Sequence, residues 1–249
     1  MCGTGLVATV GASELNAQAK QSMPRGEKSN FFDVRTYGAK GDGKTIDTAA
    51  INRAIEAANA AGGGTVYFPS NAYASYSIHM KSNVVLYLEQ GCTLLAAENT
   101  ATEKYDLAES NEPWEKYQQW GHNHYHNSLI WGDDISNFGI MGPGLIWGIG
   151  LSNGRGDLAL APGVGNKTIA FRRCHNVILR DFSILKAGHF GILVTGVDNL
   201  TIDNVKIDTD RDGMDIICCR NVRVSNCSVN SPWDDAICPK SQYILGELR

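Results

Sequence analysis

The chain has 249 residues, 43% hydrophobic and 19% charged, with a formal net charge of −4. This composition suits a sizeable apolar core, and the absence of Lys/Arg blocks excludes nucleic acid as a partner. No run of about 18 or more apolar residues is present, so a membrane-spanning helix is excluded as well.

Residues 1–19 differ from the rest. Gly3 to Ala12 is small and apolar, and Ala17-Gln18-Ala19 has the small-x-small spacing of a signal-peptidase site. The segment reads as a signal-peptide remnant, which would make the protein secreted or periplasmic; a disordered N-terminus is the alternative. Residues 30–249 then form the folded domain. Phe31 to Gly38 predicts a strand and turn, and Gly41-Asp42-Gly43 a loop. A helix is expected over about 47–60, capped by Asp47 or Thr48, with Ala50, Ile51, Ala54, Ile55 and Ala58 on one face. Strands are expected at Thr65–Pro69, Asn83–Leu88 and Thr93–Leu95. Residues 99–127 lose periodicity and gain Trp114, Tyr117, Trp120 and Tyr125, as in a long insertion over one face. Strand patterns return at Ser128–Trp131, Ile135–Ile140 and Leu145–Ile146, before a Gly-rich insertion at Gly148–Asn166.

From about Lys167 the chain repeats. Asn176–Ile184, Asn199–Ile207 and Asn221–Val229 share one alternating apolar pattern and begin 23 and then 22 residues apart. Five places after each leading Asn stands Asp181, Asn204 or Asn226, residues that tolerate left-handed backbone at a turn. One amphipathic helix followed by short strands in this register predicts an all-β parallel β-helix, with the helix capping its N-terminal end. Thirteen residues on from the leading Asn stand His189, Asp212 and Asp234. Stacked coils would place these roughly 4.8 Å apart in one column.

Asp212, Asp234 and Asp235 are the chemical signal. Carboxylates held close cannot all ionise freely, and a neutral acid beside ionised bases suits glycoside hydrolysis. An inverting enzyme keeps its acid and base about 6.5–9.5 Å apart, a separation that splayed side chains could reach. Asp234 and Asp235 both reach one cleft only if the chain bends there, and Pro232-Trp233 makes that bend plausible. On spacing alone, acids lining a turn or a Ca²⁺ site fit equally. His189 and Arg211 are candidates for sugar or uronate contact, as is Lys186. The histidines of His122-Asn-His-Tyr-His126 hint at metal, yet a loop packed over the cleft suits them better. Trp114, Trp120 and Trp233 are candidates for stacking on sugar rings. The seven cysteines fit no zinc pattern, and Cys218-Cys219 should face opposite sides of a strand.

Four stretches carry a family resemblance: Phe32–Thr48, Gly62–Pro69, Asp212-Gly-Met-Asp215 and Asp234–Ser241. Together they resemble glycoside hydrolase family 28, the polygalacturonase and rhamnogalacturonase family, from about Phe31 to Ser241. The resemblance implies a right-handed, single-stranded parallel β-helix of the pectin-lyase-like kind, acting on pectin backbones with inversion and without a metal or other cofactor. The expected partner is polysaccharide, with the chain a monomer. Asp210-Arg211-Asp212 stands where the family has Asn-Thr-Asp, and Asp234-Asp235 matches its Asp pair. By that analogy Asp234 is the general acid, while Asp212 and Asp235 activate water. Lys240 is the remaining substrate-binding candidate. The family's Gly-His-Gly and Arg-Ile-Lys motifs lie on later coils, and the chain ends nine residues after Lys240. The expectation is therefore a C-terminally truncated enzyme of impaired activity. A non-catalytic carbohydrate-binding or adhesion module is the second reading. A Ca²⁺-dependent polysaccharide lyase is a third.

Overall fold

A computed structural model of the chain describes residues 30–117, 122, 124–154 and 161–248. The signal-like residues 1–19, with Cys2, and Trp120 lie outside the described residues. Twenty strands, β1–β20 in chain order, fall into three sheets in which every pairing is parallel. The first sheet holds β1 (Phe31–Asp33), β3 (Gly64–Phe68), β6 (Val84–Leu88), β9 (Ser136–Met141), β12 (His175–Arg180), β15 (Asp198–Asp203) and β18 (Arg220–Ser225). The second holds β2 (Asp42–Ile46), β4 (Ala72–Ser75), β7 (Thr93–Ala96), β10 (Leu145–Trp147), β13 (Ser183–Leu185), β16 (Lys206–Asp208) and β19 (Ser228–Asn230). The third holds β5 (Ile78–His79), β8 (Ser128–Asp133), β11 (Lys167–Arg172), β14 (Phe190–Thr195), β17 (Asp212–Ile217) and β20 (Ile237–Lys240). The chain visits the sheets in turn, so each coil stacks on the one before. This is the expected parallel β-helix. β2, β4 and β5 were not expected; they are short, and β2 falls partly on the predicted loop.

Alternation explains the first sheet. Ile140, Leu179 and Ile202 pair in register and are fully buried, while Ile178 faces out and is half exposed. A fully buried Leu or Ile contributes about 1.5–3 kcal/mol, so stacking like on like fills the interior without voids. The third sheet differs. β11, β14 and β17 are buried at every position. Their inner faces meet the coil core, and Ala170, Phe190, Leu193 and Ile217 on the outer face pack against Tyr125, Cys218 and Ile244. Cys218 belongs to that outer cluster and Cys219 packs on the inner core, so the pair faces opposite ways as expected. Among the described residues no cysteine is joined in a disulfide.

Helix α1 (Thr48–Ala60) buries the five predicted residues against Val34, Val66 and Val84. Capping takes an unexpected form. Asp47 occupies the N-cap position but makes no cap hydrogen bond; its carboxylate accepts from the Lys40 and Gly41 amides at 2.7 and 2.9 Å. Two amide donors outcompete one helix donor and pin the preceding loop. Gly63, at φ 131°, ends the helix where an added Cβ would lie 2.6 Å from the Asn83 carbonyl. No helix among the described residues is long and apolar enough to cross a membrane.

Asparagine ladders set the coil corners. Asn83, Asn137, Asn176, Asn199 and Asn221 all have φ between 54° and 63°. Each amide donates to the preceding rung's carbonyl, at 3.1, 2.8, 2.9 and 3.1 Å. At the next corner Asp181, Asn204 and Asn226 also adopt positive φ, as predicted. Asn204 donates to Asp181 at 2.9 Å, but Asn226 turns to Asp203 at 2.8 Å. A carboxylate is the stronger acceptor, and Asp203 collects Ser225 Oγ as well. Replacing Asn199 tests the ladder. Asn199→Ala should lose two hydrogen bonds and strain the left-handed backbone, a loss of about 2 kcal/mol. Asn199→Gly keeps the backbone and should lose about half as much. Urea midpoints that rank the two variants the other way would remove the conformational part of this argument.

Candidate active site

The site forms where each coil passes from the second sheet to the third. Strand pairing aligns Phe190 with Asp212, and Met214 with Ile237. Asp212 therefore stands level with Asp235, and Gly213 N donates to the Asp235 carbonyl at 2.9 Å. This corrects the expected column. His189 is level with Arg211, not Asp212, and Asp212 with Asp235, not Asp234. The turns between the two sheets differ by a residue from coil to coil, which a count from the leading Asn does not see. Residues 231–236 leave the strand as predicted. Trp233 N reaches the Asp210 carbonyl at 3.2 Å, and Asp235 N caps Asp234 Oδ1 at 3.1 Å. The bend turns both acids into one cleft.

That cleft, of about 420 Å³, is lined by His122, Gly154, His189, Arg211, Asp212, Asp234, Asp235 and Lys240. All six residues predicted for the site are present. Asp212, Asp234 and Asp235 each offer one oxygen within 4.8 Å of the others. This is tighter than the expected 6.5–9.5 Å. Two oxygens this close can hold one water between them, each at about 2.8 Å. The same oxygens are close enough to share a cation. However, Arg211 Nη2 already faces Asp234 at 2.9 Å, and three oxygens fall short of the six to eight that Ca²⁺ takes.

Electrostatics divides the groups. Asp212 is buried, and desolvation, then the charges of Asp215 and Asp234, push its carboxyl up to about 7. His189 is buried too, and burial followed by the Arg211 charge holds its imidazole down to about 4. Arg211 Nη2 lies 3.0 Å from His189 Nε2, which must therefore accept, and the His189 ring stacks on Phe190 at 4.1 Å. Asp215, fully buried in β17, meets Lys240 Nζ at 2.7 Å. That contact raises Lys240, against the opposing effect of its burial.

Both insertions contribute residues: His122, from the loop expected to pack over the cleft, and Gly154, which sequence reasoning did not assign. His122 lies 3.2 Å from Lys240 Nζ and 3.4 Å from Asp215. Gly154 lies so close to His189 that an added Cβ would run into the ring. The histidine alternation of 122–126 was the available signal, though not for metal. His124 turns to Glu115 and the Glu109 carbonyl, and His126 stacks on Trp131 at 3.9 Å. The insertion is anchored by Glu109, which accepts from the Tyr125 and His126 amides at 3.0 Å, and by Arg172, which bridges Glu109 and Asp133. Lys186 lines a neighbouring groove with Asp210 instead of the acidic cleft. Trp114 packs on Tyr117 and Tyr243, away from the acids, and Trp233 is 63% exposed without lining the cleft.

The profile described as "Rhamnogalacturonase A/epimerase, pectate lyase-like" matches residues 31–149. Among curated proteins, alginate lyase 7 of Azotobacter vinelandii is 64% identical over 42 residues, 17% of this chain and 5% of that protein. The exo-poly-alpha-D-galacturonosidase of Dickeya chrysanthemi is 39% identical over 70 residues, 28% of this chain and 11% of that one. The family 28 exopolygalacturonase of Yersinia enterocolitica superposes with a TM-score of 0.66 at 22% identity, covering 82% of this chain and 43% of that one. The chain thus spans only a fraction of the length of these relatives. The profile "Glycosyl hydrolases family 28" matches residues 91–244, more than half of the sequence and all of the acidic cleft, and the chain belongs to that family.

Proposed function

We propose that this chain hydrolyses glycosidic bonds of a pectin-type polysaccharide, polygalacturonan or rhamnogalacturonan, with Asp212, Asp234 and Asp235 as its catalytic groups. The convergence of three carboxylates within 4.8 Å in one cleft carries the reading. One of them, Asp212, is pushed up to about 7 and so keeps a proton well above the usual carboxylate range, while another faces a guanidinium, which places a proton donor beside an acceptor. The family resemblance, not the spacing, is the ground for reading the reaction as direct displacement with inversion at C1. His189, Arg211 and Lys240 are the substrate-binding groups. Lys240 Nζ has three donor hydrogens, and Asp215 and His122 account for two. The third, with the Arg211 fork, suits the carboxylate of a uronic acid. The matched galacturonosidase and exopolygalacturonase support this substrate class.

Reducing-sugar release from polygalacturonate and from rhamnogalacturonan tests the activity, and the anomer first formed, followed by NMR, tests inversion. Asp212→Asn, Asp234→Asn and Asp235→Asn should each lower turnover by roughly 100-fold or more. Polymer binding without turnover, unaffected by these substitutions, would favour a binding module instead.

The same cleft should weaken the fold. The native chain binds a proton at Asp212 that the unfolded chain releases near pH 4, so stability from this group falls as pH rises from about 4 through about 7. His189 has the opposite sign. The unfolded imidazole takes up a proton below about pH 6.5 that the native one refuses down to about 4, so stability falls as pH drops through that window. Asp212→Asn should therefore raise Tm by several degrees near pH 8 and by little near pH 4.5, at roughly 2–4 °C per kcal/mol for a chain of this size. An equal change at both pH values would show that Asp212 is not protonated in the native state.

A further inference from the structure

Lys167 opens strand β11 and is fully buried, yet no step of the hydrolysis uses it. Its Nζ donates to Asn127 Oδ1 at 3.0 Å and to Asn166 Oδ1 at 2.5 Å, both neutral amides on buried residues. Burial holds the ammonium down to about 7, and the charge of Glu109 only partly opposes this. A buried cation with amides for partners is unfavourable, and an apolar residue in its place often stabilises a fold. Here an apolar residue would leave two buried amide oxygens without this donor. Those amides mark a junction. Asn127 is the last residue of the first insertion and Asn166 the last of the second. Asn127 Nδ2 donates to Asn166 Oδ1 at 3.2 Å, and Asn166 N to the Asn127 carbonyl at 3.2 Å. The Asn166 carbonyl in turn accepts from His189 N at 2.9 Å. Lys167 also pairs with Phe190 across the strands, its Nζ 5.9 Å from the centre of that ring. His189 stacks on the same ring at 4.1 Å with the planes 5° apart, and His122 tilts against it at 4.9 Å. One ammonium thus meets the ends of both insertions and the ring on which the two cleft histidines rest.

We propose that Lys167 is a positioning residue for substrate binding: by joining Asn127 to Asn166 beside Phe190, it holds both insertions and His189 in the arrangement that receives the sugar. The proposal rests on the hydrolytic reading above. Lys167 acts through other groups. Through Asn166 it reaches the backbone of His189, and through the Phe190 ring it reaches the side chains of His189 and His122. His189 meets Arg211 at 3.0 Å, and His122 meets Lys240 at 3.2 Å. The three substrate-binding groups are therefore each one or two contacts from this junction. Asp212, by contrast, is fixed by β17, and Asp234 and Asp235 by the bend of residues 231–236. Loss of the ammonium should act on binding more than on turnover.

Two variants of the full chain test this role. Lys167→Met fills most of the same space but donates to neither amide. Its KM for polygalacturonate should rise about 10-fold or more while kcat stays within about threefold. A merely structural role would lower the folded fraction, and so the apparent kcat, at unchanged KM; that result overturns the proposal. Hydrogen exchange read by mass spectrometry adds a measurement independent of activity. Exchange in Lys167→Met should quicken in peptides covering Asn127 and Asn166 and stay as in wild type in β6 and β9 of the first sheet. Unchanged exchange at both asparagines overturns the proposal as well. Asn166→Asp decides the matter if Lys167→Met does not fold. It keeps an acceptor for Lys167 and Asn127 and gives the ammonium an acid partner, so it should slow exchange at the same peptides and leave KM within about twofold. Faster exchange there, or a KM raised as in Lys167→Met, overturns the proposal. A wild-type chain that cleaves neither polygalacturonate nor rhamnogalacturonan overturns the hydrolytic reading and the binding role with it, whereas an active wild type with no KM effect in Lys167→Met overturns this proposal alone.

Discussion

A coil that stacks on its neighbours must turn its corners at the same place every time, and left-handed asparagine meets that requirement here. Twelve non-glycine residues among those described have positive φ, and seven are Asn. An L-residue pays about 1–2 kcal/mol in this region, and Asn recovers much of it because its short amide bonds nearby groups. The amides of Asn83, Asn137, Asn176, Asn199 and Asn221 bond each other along the stack, so a single side chain sets the turn and ties it to the next coil. Because that corner is fixed, differences in coil length must be absorbed elsewhere. They are absorbed in the turns between the second and third sheets, where the acids sit. Rigid corners and variable turns are thus two sides of one arrangement.

Much of this was legible in the sequence, and the failures have physical causes. The Asn-led repeats, the helix stripe of Ala50 to Ala58 and the Asp212, Asp234 and Asp235 set are local patterns, and each emerges in the fold. The resemblance in Asp212–Asp215 and Asp234–Ser241 pointed to the same family that the profile match shows. The register of the column was not legible, because one residue more or less in a turn leaves the alternating pattern of the strands untouched. The partner of Asn226 was not legible, since the choice between Asp203 and Asn204 depends on acceptor strength in space. The loop of His122 was expected over the cleft, but its contact with Lys240, 118 residues on, was not legible, nor was the place of Gly154 against His189, 35 residues on, since both lie in segments without periodicity.

The insertion matters to the acidic cleft through burial. A β-helix sheet normally has one wet face, yet β11, β14 and β17 are dry on both sides. Tyr125 seals the outer face, and Glu109 with Arg172 holds the insertion in place. Asp212 begins the strand at the edge of this covered region, and desolvation is the leading cause of its shift. The same cover brings His122 to the Asp215–Lys240 pair. Removing water from a fully buried Asp215 would be unfavourable without Lys240 at 2.7 Å, so the pair and its cover depend on each other.

The result is a neutral pair beside an ion pair. Asp212 and His189 are each pushed toward the uncharged form, from opposite directions, while Arg211 Nη2 lies 2.9 Å from Asp234. Arg211 links the two sets, since one Nη2 serves both His189 and Asp234. Its electrostatic effect on His189 is unfavourable for an imidazolium, and on Asp234 it is favourable for a carboxylate. One guanidinium therefore touches both a buried imidazole and a carboxylate within a single cleft. Pairs of titratable groups driven apart in this way distinguish acid from base on an enzyme surface. Keeping a neutral acid in a cleft of acids lowers the stability of the fold, and functional sites commonly retain such unfavourable features because the chemistry requires them.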